Sequence, residues 1–150
     1  MKDIFTQEVT AETIERIEQL TPETKPLWGK MNVSQMLAHL SVMYEMVYED
    51  FHKKPNPILR FLLKLFVKNA VVSEKPYSKN SATAPAFRIT SEKDFEIEKI
   101  RLVEYMKKTQ ELGRSHFDGK ESLSFGPITA QEWNNLFYKH LNHHLSQFGV

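Results

Sequence analysis

From Trp133 to Phe148 the apolar residues Trp133, Leu136, Phe137, Leu141, Leu145 and Phe148 recur at spacings of three or four, a pattern that collects on one side only of a helix. Three of the chain's six histidines lie in the same stretch. His140 and His144 are four apart, so their rings project from one face, one turn above the other. Two imidazoles so placed can reach one metal ion from a single helix. His143 lies about 100° around the helix and does not share that seam. A duller explanation is that cationic imidazoles suit the negative end of a helix dipole. Gly is scarce, at 5 of 150 residues, and no long run alternates apolar with polar, so the rest of the chain also reads as helical.

The length of 150 residues suits a single domain spanning 1–150 that buries a core without cross-links. With no Cys, disulfide frameworks, thiolate zinc sites and cysteine nucleophiles are excluded, and any metal must be held by His, carboxylate, carbonyl or water. Net charge is +1, which gives no electrostatic case for nucleic acid. The N-terminal residues lack the apolar core of a signal peptide, and no apolar run is long enough for a spanning helix, so the expectation is a cytoplasmic protein without stable membrane insertion. A homodimer paired along a helix face is plausible for such a chain.

Five helices are expected. Thr10 is the N-cap of a short helix over about 10–20, ended by Thr21-Pro22. Asn32 or Ser34 caps the second, whose broad apolar stripe runs through Met36, Leu37, Leu40 and Tyr44. Trp28 in the preceding connector reads as an anchor at the bundle end, or as a substrate wall. A third helix over 58–72 carries Arg60, Lys64 and Lys68 at four-residue spacing. It is either a buried helix with a solvated basic edge or a membrane-surface or partner-docking helix. Residues 73–92 form a long polar loop, a surface crossover or a lid. Ser91 caps a fourth helix over 92–113 that Gly113 stops. Residues 114–129 are loop, and Thr129 with Glu132 forms a capping box for the last helix. The longer helices suit an antiparallel bundle.

A three-ligand site needs a third donor from a facing helix. His39 is the best placed, beside the stripe of the second helix. His116, in a loop, is a weaker alternative, and His52, beside Lys53-Lys54-Pro55, reads as exposed. Gln35 and Gln147 could lie near the site as substrate groups or as partners of the ligands. No convincing general base stands out: Glu45 and Glu132 are candidates, but each lies far along its helix from the histidines.

Trp28-Gly29-Lys30-Met31, Gln35-Met36-Leu37-Ala38-His39, Phe125-Gly126-Pro127-Ile128-Thr129, Glu132-Trp133 and the closing Lys139–Gly149 run together resemble the DinB-like (YfiT-like) superfamily, in a bacterial branch of unassigned function. The resemblance implies an all-α antiparallel four-helix bundle with a three-His metal site open to a pocket. Matched by position, the implied ligands are His39, His140 and His144, and the implied metal is zinc or nickel. Neutral imidazoles suit zinc, nickel or copper and do not choose between them. Some members are thiol S-transferases using a low-molecular-weight thiol, so the resemblance implies a metal-dependent transferase or hydrolase acting on a small molecule. The 58–72 helix and the long loop after it would be insertions between bundle helices. A non-catalytic bundle that binds a ligand or a partner is the competing expectation.

Overall fold

The structure, a computed structural model, describes residues 1–150. It is mostly helical, and its helix boundaries follow local capping chemistry. Helix α1 spans Gln7–Glu18 and is capped by Thr6, whose side chain accepts from Val9 N. The expected cap, Thr10, is instead buried inside the helix with its hydroxyl donating to Ile4 O at 2.7 Å. Helix α2, Val33–Tyr48, starts at Asn32 with a full capping box to Gln35. The 58–72 segment is two helices, α3 at Pro57–Phe66 and α4 at Lys68–Val72, separated at Val67 (φ −110°, ψ −36°). Asn56 caps α3 and Pro57 sits in its first turn, where the missing N–H costs nothing.

A single 3-10 turn, Pro85–Phe87, interrupts the long loop. Helix α5, Phe95–Phe117, starts at Asp94 rather than Ser91, because the Asp94 carboxylate accepts from Ile97 N. Gly113, at φ +72°, kinks α5 but does not stop it; a further helical turn carries on to Phe117. The expected loop over 114–129 contains a minimal antiparallel pair, β1 (Glu121–Ser122) with β2 (Gly126–Pro127). Helix α6, Ala130–Gln147, has the expected capping box between Thr129 and Glu132.

Helices α1, α2, α5 and α6 pack around a cluster of 23 buried apolar residues. Its centre is aromatic: Phe137 of α6 stacks on Tyr44 of α2 at 4.8 Å and on Trp133 at 5.3 Å, and Phe117 meets it edge-on at 5.5 Å. The polar residues of α6 bind loose ends to this core. Asn134 accepts from Ile4 N and donates to Lys2 O. Asn135 donates to Val72 O, and the Lys139 ammonium donates to Ala70 O and Ser73 O, so α6 caps the free carbonyls of α4. The loop after α4 is thereby started from a fixed point beside His140.

Helix α3 has no buried residue, against the expectation of a buried helix with a basic edge. Its basic residue Arg60 turns inward to Glu121 and Lys68 of α4 turns inward to Glu132, at 2.5 and 2.6 Å. Apart from Leu63, its apolar residues face out. No helix is long and apolar enough to cross a membrane.

Candidate metal centre

His39 comes from the middle of α2, and His140 and His144 from the last two turns of α6. The i, i+4 spacing sets the α6 pair on one seam, and packing of α2 against α6 brings His39 opposite it. The ring centroids are 4.8 Å (His39–His140), 4.5 Å (His39–His144) and 4.9 Å (His140–His144) apart. One ligand atom from each lies within 4.8 Å of the others, and all three side chains are buried, at 4%, 9% and 8% exposure.

The partners of the outer nitrogens decide which nitrogens face inward. His39 Nδ1 lies 2.8 Å from Phe87 O. A carbonyl oxygen has no proton to give, so Nδ1 carries the hydrogen and Nε2 the lone pair. His144 Nδ1 lies 2.7 Å from Gln147 Oε1, and the Gln147 amide is oriented in turn by donating from Nε2 to Trp28 O at 2.6 Å. His144 is therefore also protonated at Nδ1, with its Nε2 lone pair free. A carbonyl behind each of these two imidazoles fixes the tautomer and raises ligand basicity, as in histidine metal sites generally. His39 Nε2 stands 2.8 Å from His140 Nε2. Two lone pairs at that distance repel unless a proton or a cation lies between them. The donor set of neutral nitrogens, with no carboxylate among them, fits zinc, nickel or copper.

Burial shifts all three toward the neutral form that binds metal. It lowers His144 to about 3, helped by the nearby His39 and opposed by the hydrogen bond to Gln147. It carries His140 well below the ordinary histidine value, with His39, His144 and His143 adding to the effect. It lowers His39 as well, against the pull of the Phe87 carbonyl.

The other sequence candidates fall elsewhere. His52 is not exposed: it is mostly covered and pairs with Glu45 at 2.8 Å, while Glu45 also binds Arg101. His116 lies in the last turn of α5 rather than in a loop, 3.3 Å from Lys120. Gln35 is spent on the capping box of α2. Trp28 is half-buried and meets His143 edge-on at 6.0 Å. Together with Tyr77, Lys79, Lys139 and Asn142 these two line a cavity of about 220 Å³. The triad rings do not line it, although the resemblance implies a site open to a pocket; His143 and Tyr77 stand between, Tyr77 edge-on to His140 at 6.4 Å.

Two contributors escape a reading of the sequence. Phe87 supplies a carbonyl to His39 and sets its ring edge-on to His39 and His140, at 5.6 and 5.7 Å. Nothing local marks a loop Phe for this role. Gly29 sits at φ +84°, and a Cβ there would fall 2.5 Å from Gln147 Nε2. That glycine lets the amide reach Trp28 O. Its signal is visible only as a Trp-Gly pair in a connector.

These features describe a class: a small helical protein whose second and last helices of the core join three buried imidazoles that could bind a metal ion. The chain belongs to the DUF1569 family, described as a protein of unknown function, whose model matches residues 4–149 and so takes in the whole triad. No curated protein and no solved structure matches the chain.

Proposed function

We propose that this chain is a metal-binding protein in which His39, His140 and His144 hold one divalent ion, zinc or nickel, and that the ion serves a thiol-transfer or hydrolytic reaction on a small molecule. We further propose that the family is a branch of the DinB-like superfamily, since the donors come from α2 and α6 in the order that the resemblance implies. The observation that carries the metal reading is the pair of carbonyls, Phe87 O and Gln147 Oε1, that turn two Nε2 lone pairs toward His140. When bound, such an ion supplies Lewis acidity and lowers the pKa of a thiol or water placed in its remaining position. The chain's own residues hold the donors neutral, fix the tautomers of His39 and His144 and, through Phe87 and Tyr77, set aromatic edges against His39 and His140.

The 2.8 Å His39–His140 separation favours a second reading, a non-catalytic bundle in which His140 Nε2–H donates directly to His39 Nε2. Element analysis of protein purified without added metal separates the two. The first reading expects about one ion per chain, lost in His140→Ala, and transfer of a low-molecular-weight thiol to an electrophile by the loaded protein only. A wild type as metal-free as His140→Ala, and unable to take up added zinc or nickel, leaves the second.

A further inference from the structure

Helix α3 is amphipathic in the reverse sense. Arg60 is held to Glu121 at 2.5 Å, and Lys68, the first residue of α4, is held to Glu132 at 2.6 Å. Leu63 packs against the core. The opposite side presents Ile58, Phe61, Leu65 and Phe66 at 75%, 64%, 60% and 72% exposure, with Phe51 alongside at 63%. A chain that uses ion pairs to seat a helix, and leaves its phenylalanines and leucines in water, needs something to cover them.

Charge narrows the choice of cover. From Phe51 to Ser73 the chain carries Lys53, Lys54, Arg60, Lys64 and Lys68 and no carboxylate. Lys54 and Arg60 share the single carboxylate of Glu121, and Lys53 and Lys64 are exposed without an acidic partner. An apolar strip flanked by uncompensated lysines matches a surface that is apolar beneath and anionic above. A second copy fits poorly. A two-fold contact would set these lysines against their own equivalents. The 10-residue helix is also only about 15 Å long, and one face of it falls short of the roughly 800 Å² per partner of a stable interface.

We propose that α3 lies in the plane of an anionic lipid surface, with Ile58, Phe61, Leu65 and Phe66 in the acyl boundary and Lys53 and Lys64 at the headgroups. This docking does not depend on the histidine triad.

The test is co-sedimentation of the full chain with vesicles of phosphatidylcholine and phosphatidylserine, against phosphatidylcholine alone. The expected result is binding to the anionic vesicles that weakens with salt. Phe61→Ser with Leu65→Ser should lose at least about tenfold in partitioning, with an unchanged thermal midpoint, because neither side chain is buried. Lys53→Glu with Lys64→Glu, a variant that leaves the apolar strip intact, should lose about fivefold or more per charge at low salt. Failure of the wild type to bind anionic vesicles at low salt would overturn the proposal. So would equal binding by the folded serine variant. A dimer in sedimentation velocity that the serine variant dissolves would give the face to a second copy instead.

Discussion

Replacing Gly29 by alanine should loosen a histidine from which it is separated by a relay of two hydrogen bonds. The new Cβ falls 2.5 Å from Gln147 Nε2, inside any tolerable contact, and the φ of +84° adds strain for a residue with a side chain. The strain costs about 1–2 kcal/mol. The Gln147 amide must also leave Trp28 O and, with it, His144 Nδ1. Of the two groups left behind, His144 Nδ1 is the buried one, and losing its partner costs about 1–3 kcal/mol. Gly29→Ala should therefore lower the stability of metal-free protein by about 2–5 kcal/mol. Affinity for zinc or nickel should fall about 10- to 100-fold, as when a group that orients a ligand is lost. The assay is a double-mutant cycle with Gln147→Ala, read by urea denaturation and by competition with a chromophoric chelator. Once the amide is gone, Gly29→Ala should cost only the strain. The two substitutions should thus be less than additive by about 1–3 kcal/mol. Additive effects would refute the relay, and an unchanged affinity in Gly29→Ala would refute its link to the ligand.

Acid should unfold the metal-free protein through the triad. His144 binds its proton near pH 3 in the fold and near 6.5 when unfolded, and His140 and His39 are displaced in the same direction. Between those limits the unfolded chain holds more protons, so stability falls as pH drops below about 6.5, by up to about 1.4 kcal/mol per pH unit for each group; His144→Gln should flatten the slope of denaturation midpoint against pH. Lys139→Met removes the donor to Ala70 O and Ser73 O; it should cost about 1–3 kcal/mol, raise hydrogen exchange through 68–80, and leave metal affinity near wild type. Phe137→Ala opens a cavity among Tyr44, Trp133 and Phe117; a loss of about 3–5 kcal/mol is expected in urea denaturation.

What could be read from the sequence was what is settled locally. The start of α6 follows from Thr129 and Glu132 alone, because a capping box closes within one turn. The His140–His144 seam follows from helical period in the same way. His39 needed a facing helix and was named by its place beside an apolar stripe. The errors lie where distant contacts override local preference. Thr10 has the chemistry of a cap, but its hydroxyl is taken by Ile4 O while Thr6 caps instead. Ser91 gives way to Asp94 three residues on. Periodicity over 58–72 showed an apolar face and a basic edge without showing which would turn inward; Glu121 and Glu132, far along the chain, settle that. Gln147 could be placed near the site by its spacing from His144, but its role could not be read, because its two partners lie in different parts of the fold.

The triad is split by 101 residues between His39 and His140, and its second half sits at the end of the final helix. A growing chain therefore holds one donor long before it has the other two. Closing that gap costs entropy, but only logarithmically in its length. Before α6 docks, its histidines offer an ion two points of attachment at most; after docking the chain offers three. An ion held by all three would favour the docked form over the undocked one by mass action. A copy truncated before α6 would keep the first donor helix and offer no three-point grip.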